Sequence, residues 1–586
     1  MAYPSLEQYN NAFNNHSLWL ADPELKGGRV GTTGMGLPLA ISGGFALTYT
    51  ITAGSKKYAV RCFHRESKAL ERRYTAISKR LATLRSPYFL DFQFQPKGIR
   101  VEGGEYPIVK MAWAKGETLG EFLEDNHGSP QALGALASSL ESLSFYLEKE
   151  RIAHGDIQTG NLMVSGGGGS VQLIDYDGMW IDEIRDLGSA ELGHVNFQHP
   201  GRKSANPFDS TLDRFSLISL WLSIEALRTD PSIWGKTNSE IDAIVFRAND
   251  FIDPGSSPGF ALLASKSILA PKAKAFAAIC ASPMQKAPSL ADFIAGRNMP
   301  SPPASVVLTG KVADGKLRPG YIGAYEVLSA TEYEACLNRV GSKVEVIGRI
   351  VEVKRGMAKN RKPYIFVNFG PWQGRIFKIA IWSDGLDALR TKPDDSWVGK
   401  WVGVVGLMEP PFENKKLRYT HLSINVTAVG QITLLSEADA RWRLAGPMDG
   451  MPSARKTADN RDILDKVQAS GRGRANGSMR LPSAQTPPPA PTRSPAPARS
   501  AASARSTAPP RPTSPPPARV SPNQSVLNAI RASSPSNPAA RPAQPPPQPN
   551  RLSKRVPSSM AGCSNVSGSS PSRPGLLRRL LGWLFR

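Results

Sequence analysis

The runs His154-Gly155-Asp156-Ile157-Gln158-Thr159-Gly160-Asn161 and Leu173-Ile174-Asp175-Tyr176-Asp177-Gly178 hold the residues best suited to chemistry. An Asp five residues before an Asn, followed by an Asp at the end of an apolar strand (Val171, Leu173, Ile174), suits phosphoryl transfer. In that chemistry Asp156 accepts the proton of an attacking hydroxyl, and Asn161 with Asp175 holds a Mg²⁺ that bridges nucleotide phosphates and offsets their developing charge. Turn aspartates and helix caps are common singly, so context decides. Here an apolar strand, Leu162-Met163-Val164, runs through the glycines from Gly166 to Gly169 into a second strand that ends in Asp175.

Several elements must position these side chains. Residues 27–63 read as the start of a small β-rich lobe, with Ser42-Gly43-Gly44-Phe45-Ala46 as a glycine turn whose backbone N–H groups can approach phosphates. The period-two pattern of Tyr58-Ala59-Val60-Arg61-Cys62-Phe63 predicts a strand, and Leu70, Tyr74, Ile77, Leu81 and Leu84 predict a helix. Ser129-Pro130 caps a helix with leucines at 133, 136, 140, 143 and 147 on one face, which delivers the chain to His154. The stretch Phe215 to Leu227 is apolar on nearly every side, as for a helix buried inside a large lobe.

Residues 3–294, above all Ala59-Val-Arg-Cys-Phe63, Pro107-Ile-Val-Lys-Met111, His154-Gly-Asp-Ile-Gln158, Leu173-Ile-Asp-Tyr-Asp-Gly178 and Gly193-His-Val-Asn-Phe-Gln-His-Pro200, resemble a bacterial branch of the eukaryotic-like Ser/Thr protein kinases. The resemblance implies a bilobal fold, ATP with Mg²⁺ as phosphate donor, and a protein hydroxyl as acceptor. It implies Asp156 as base, Asn161 and Asp175 as metal ligands, and His154 and Asp213 as structural supports. It puts Gly43, Gly44 and Phe45 over the phosphates, Met111 and Trp113 at the adenine, and Arg61 where a phosphate-pairing Lys is usual. Glu71 is the expected ion-pair partner of Arg61, with Glu66 also within reach. The chain departs from the pattern at Arg61, at the thinned glycine turn, and at Tyr176-Asp177 where Phe-Gly is usual. A planar guanidinium does not replace a compact ammonium, so weakened turnover is expected. Gly155 stands where many such kinases carry an Arg that clamps a phosphorylated loop, and Ser189 is the one hydroxyl residue between Gly178 and Pro200. Phosphorylation at Ser189 is therefore expected to find no local charge partner.

The 586 residues carry 72 Lys+Arg against 49 Asp+Glu, a net charge of +23. Residues 451–586 contribute 21 basic and 3 acidic side chains, so +18 of that charge lies in a Pro/Ser/Ala/Arg-rich tail expected to be disordered. The pI is thus no sign of a charged binding face. Four scattered cysteines, 62, 280, 336 and 563, argue against a zinc site or disulfide framework. No stretch reaches the ~18 apolar residues of a membrane span, and the expected compartment is cytoplasmic.

From Ser342 the pattern turns to strands, 342–355, 363–370, 375–382, 398–408 and 416–426, with a helix near 384–390; this looks like an OB-fold barrel. Gly348 and a phase slip at Ile350-Val351 are expected to bend the first strand. Its loops are basic (Lys354, Arg355, Lys359, Arg361, Lys362; Lys415, Lys416, Arg418) beside Tyr364, Phe366, Phe369 and Tyr419, a combination that suits single-stranded nucleic acid or another polyanion as well as plain solvated turns.

The expected architecture is α+β: a kinase-like bilobal domain (1–297), a linker (298–341), an OB-like all-β barrel (342–445), a disordered tail (446–573), and an amphipathic basic helix (574–586) for a membrane interface or a partner's groove. The expected function is atypical Ser/Thr phosphotransfer to a protein substrate. Its rival is an ATP-binding pseudokinase scaffold whose barrel binds nucleic acid or a protein.

Overall fold

Lys56–Phe63 is the central strand of a six-stranded antiparallel sheet, and its alternation explains how that sheet is covered on both sides. Tyr58, Val60 and Cys62 face the N-terminal helix Leu6–Asn14, packing with Tyr9 and Phe13. Ala59 and Phe63 face the helix Leu70–Leu84, with Tyr74, Ile77 and Leu81. Arg61 shares that second face by its period of two, which aims a guanidinium toward the rest of the molecule. In this computed structural model the described residues are 3–32, 36, 38–42, 46–64, 69–301, 308, 320–358, 361–414 and 416–446. Gly43, Gly44, Phe45, Glu66, Lys359, Lys415, the tail and the terminal helix lie outside them.

The chain is a mixed α+β protein. After the sheet comes a mainly helical region built on two helices. Pro130–Glu150 starts at a Ser129 cap and ends at Arg151, which adopts a left-handed φ of 52°. Its leucines 133, 136, 140, 143 and 147 are all buried, as the spacing predicts. Arg214–Thr229 is buried nearly all round. A small sheet of Glu117–Thr118, Leu162–Ser165 and Ser170–Leu173 carries the two chemistry-bearing loops on its ends. Among the described residues no helix is long and apolar enough to cross a membrane.

The C-terminal strands form a four-stranded and a five-stranded sheet that share one core. Lys343–Arg349 pairs antiparallel with Trp401–Leu407, and Glu352–Met357 pairs with Pro363–Asn368, then Gly374–Trp382, then Tyr419–Val426 in parallel. The bridge between Met408 and Ile424 closes the circuit. The first strand changes sheet where the phase slip occurs: Ile350 bonds to Lys400 and Gly399, Val351 to Asn368. Gly348 is required there, since a Cβ would lie 2.4 Å from the Phe369 ring. One boundary needs correction. Part of the expected linker belongs to this unit: Glu326–Ser329 pairs in parallel with Lys343–Arg349, and Tyr333–Leu337 packs on the barrel core.

Candidate active site

Asp213 organises the first loop. It directly precedes Arg214–Thr229, and its buried carboxylate accepts the backbone N–H of His154 at 2.5 Å and of Gly155 at 2.8 Å. Two N–H groups aimed at one carboxylate fix the loop's path without any side-chain partner. The His154 ring bonds to the Ile174 carbonyl at 2.8 Å, and Ile174 N–H donates to Asn161 O, so the two loops are tied together. Gly155 has φ +80° and a Cβ there would sit 2.2 Å from Gly178 O. No side chain fits at that position, Arg included.

Asp156 and Asn161 then meet. Asn161 Nδ2 donates to the Asp156 carboxylate at 2.9 Å and to its carbonyl at 3.0 Å, while Gln158 Nε2 donates at 3.0 Å. The other carboxylate oxygen accepts the backbone N–H of His194 at 2.7 Å. Gly193, at φ +77°, makes this approach possible, because a Cβ would fall 2.8 Å from Asp156 Oδ1. Burial raises the Asp156 pKa, against the opposing pull of the His194 N–H and of His154. A raised carboxylate is a better proton acceptor near neutrality.

The second loop differs from expectation. Arg61 does not pair with Glu71, which is exposed; its fork donates to Asp175 at 2.6 Å and to Asp177 at 2.7 Å. Glu71 lies one position after the buried Leu70 and so points off the packed face, whereas Tyr74, four after Leu70, points in and donates its hydroxyl to Asp177. The signal for Tyr74 was present: a polar-tipped residue on an apolar helix face needs a buried acceptor. Asp175 has φ 61°, strained for a non-glycine residue and the kind of outlier that clusters at functional sites. Burial pushes the Asp177 carboxyl up to about 6, with Arg61 opposing, and Asp175 and Asp177 hold the Arg61 guanidinium well above its ordinary range against the cost of burying it. Tyr176 fills the core between them, its hydroxyl donating to Leu173 O and accepting from Leu90 N, its ring 5.1 Å from Phe92 and 6.0 Å from His154.

Two further residues were not foreseen. Glu191 sits under Gly178, and burial together with Asp156, Asp177 and Asp175 raises its carboxyl well above the usual range. Arg202 is buried and clamps the same segment, donating to Ser189 Oγ at 3.2 Å and to Pro207 O at 2.6 Å. The expectation that Ser189 lacks a cation nearby is therefore overturned. Ser189 is only 2% exposed, and its hydroxyl donates to Glu191 O at 2.6 Å.

Magnesium usually takes one or two protein oxygens plus nucleotide phosphates and water. The residues present suit that pattern. Asn161 spends its amide N–H groups on Asp156, which leaves its carbonyl oxygen as the donor atom for a cation, and the Asp175 side chain keeps 28% exposure. Among the described residues no cluster of three or more His, Cys, Asp or Glu is arranged to hold an ion without a ligand's help. At the expected adenine position Met111 is buried, and Trp113 carries the Lys57 ammonium 3.5 Å above its ring. The N–H groups of Ala112 and Trp113 are already bonded to Asp91 O and Lys57 O, so they are not free to donate to a base there. No protein-family model and no curated protein matches the chain.

Proposed function

We propose that the N-terminal region is an atypical protein-kinase-like phosphotransferase of bilobal type, using ATP with Mg²⁺, joined to an OB-like barrel. The observation that carries this reading is the Asp213 carboxylate gripping the N–H groups of His154 and Gly155, which sets Asp156 against Asn161 on a loop tied through His154 and Asn161 to the residue before Asp175. In this reading Asp156 takes the acceptor hydroxyl's proton, and Asn161 with Asp175 holds the metal. Bound Mg²⁺ supplies charge neutralisation at the phosphates. Arg61 keeps its cation in the cleft but is anchored by Asp177 in place of a helix glutamate. The test is transfer of label from γ-labelled ATP with Mg²⁺ or Mn²⁺, wild type against Asp156→Ala. Label that is lost in the variant supports the reading; nucleotide binding without transfer in either protein favours the scaffold alternative.

A second reading has its own support on the barrel. Tyr364 and Phe366 stack at 4.5 Å, Trp382 lies 5.5 Å from each, and the Lys378 ammonium sits 3.8 Å over Phe366, all part-exposed. Phe369 is not part of this face; it is buried against Phe377. Exposed Lys354, Arg361 and Lys362 stand nearby in sequence and register. Rings beside cations suit stacked bases, at about 1–3 kcal/mol per base. Binding of a labelled single-stranded oligonucleotide, weakened by salt and by Phe366→Ala, tests it.

A further inference from the structure

The segment between the two folded regions lies along the acceptor side of the catalytic-type loop. Asn249, buried on the short helix Ala248–Ile252, donates Nδ2 to Gly320 O at 2.5 Å and accepts Ile322 N–H at 3.2 Å. One primary amide thus reads a carbonyl and an N–H two residues apart, as a neighbouring strand would, a mode of recognition blind to side-chain identity. Side-chain choice comes next. Ile322 lines a cavity of about 70 Å³ with Gly193, Val195, Pro200 and Ile252. Gly193 and Val195 flank His194, the residue whose N–H holds Asp156.

Three residues on, Tyr325 packs edge-on against the His194 ring at 6.4 Å, and the Lys343 ammonium lies 4.8 Å over the Tyr325 ring. The field of Asp156 reaches Tyr325, and that of Asp175 reaches Lys343. The segment is anchored on its far side as well. Tyr321 donates its hydroxyl to Glu345 at 3.1 Å, and Arg443 joins Glu345 at 2.9 Å to Glu240 at 2.5 Å. A stretch that merely connected two domains would not need its backbone read, an aliphatic side chain buried at the wall of a cavity, and an aromatic placed beside the candidate base.

We propose that this groove is the binding site for an acceptor polypeptide, and that Gly320–Tyr325 occupies it in cis. The inference rests on the phosphotransfer reading of Asp156 only for the word acceptor. The partner it fits is an extended peptide with an aliphatic side chain for the buried position that Ile322 now takes beside that cavity, and it enters when the chain's own segment lifts away.

The experiment uses the full chain and a fluorescein-labelled peptide of sequence Gly-Tyr-Ile-Gly-Ala-Tyr. Ile322→Asp should release the segment, and Ile322→Ser serves as the milder variant; thermal unfolding confirms that each remains folded. If the segment holds the groove about nine-tenths of the time, peptide affinity rises about tenfold in the variants. Adding Asn249→Ala should then abolish the gain. Equal peptide binding by wild type and both folded variants overturns the proposal, as does a gain indifferent to Asn249. A second arm measures label transfer from ATP to arrayed Ser, Thr and Tyr peptides. Transfer that is faster in the Ile322 variants supports the proposal; transfer at equal rates overturns it and leaves the enzyme reading intact. Peptide binding gained with no transfer from any form supports the groove and removes the enzyme.

Discussion

Under the phosphotransfer reading the candidate site has an acceptor side and a donor side, and the two are held by different physics. The acceptor side is a short loop whose backbone is fixed by one carboxylate, Asp213, and whose two working side chains, Asp156 and Asn161, bond to each other. The donor side is held by a single guanidinium, Arg61, that comes from a strand more than a hundred residues earlier and grips two acids at once. The first arrangement is complete without any ligand. In the second, protein charge already engages Asp175, and in the proposed reading a Mg·nucleotide would have to share that carboxylate with Arg61. Reduced activity, if it is measured, is thus assigned to the donor side.

Removing the fork should have the largest effect. Arg61→Ala leaves Asp175 and Asp177 facing each other with only Tyr74 and solvent, and stability should fall by about 3–5 kcal/mol in denaturant unfolding. A loss under about 1 kcal/mol would mean that the fork does not hold the donor side. Arg61→Lys sharpens the contrast. An ammonium on a shorter stem lacks the fork that spans the two acids, so the bond to Asp175 should weaken and Mg²⁺-dependent binding of a fluorescent nucleotide should tighten.

The acceptor side should yield less. Asp213→Ala strands the N–H groups of His154 and Gly155 inside the protein, at about 2–4 kcal/mol for the pair. Asp213→Asn keeps one acceptor and should lose roughly half as much. If Asn and Ala behave alike, the carboxylate's charge matters more than its geometry.

This contrast also decides what could be read from sequence. The loop residues His154, Asp156 and Asn161 stand within eight positions, and their roles follow from spacing and from the strand after them. Barrel strands announced themselves by period two, and the turn at Ile350-Val351 by a break in that period. Long-range partners left no such trace. Arg61 has Glu66, Glu71, Asp175 and Asp177 as candidate acids, and only the rotation of the helix Leu70–Leu84, set by Leu70 and Tyr74 facing inward, removes Glu71. The strand Glu326–Ser329 was missed because four residues carry too little alternation to stand out. Gly155 stood out in sequence only as a missing Arg and Gly193 only as part of a motif; their necessity lies in what surrounds them, Gly178 O and Asp156 Oδ1.

A pH-dependent effect links the candidate site to the C-terminal sheets. Burial lowers the Lys343 ammonium from 10.5 to about 7, the nearby charge of Asp175 opposing it. Below pH 7 folded and unfolded chains both hold the proton, and the cost of burying it is fully present. Between about pH 7 and pH 10.5 only the unfolded chain holds it, so stability rises with pH, by at most about 1.4 kcal/mol per unit. Lys343→Met should flatten that rise and be more stable than wild type below pH 7. If both proteins show the same slope, the barrel does not bury this amine against the cleft.

The smallest effect tests the segment that covers Asp156. Ser189 donates to Glu191 O and accepts from Arg202, so Ser189→Ala should lose about 1 kcal/mol of stability, the ordinary worth of a buried hydrogen bond. It should leave label transfer unchanged, because Arg202 still holds Pro207 O, and burial and the three aspartates, not Ser189, are what raise the Glu191 carboxyl. Arg202 would provide a phosphorylated Ser189 with a cation, yet at 2% exposure the hydroxyl is out of reach of another active site unless the segment opens. Mass spectrometry of protein incubated with Mg·ATP should therefore find Ser189 unmodified. Stoichiometric phosphate there, together with a large loss of transfer in Ser189→Ala, would mean that the acceptor side is not preset after all but is assembled by modification, and the two sides of the cleft would then be alike in needing a ligand to finish them.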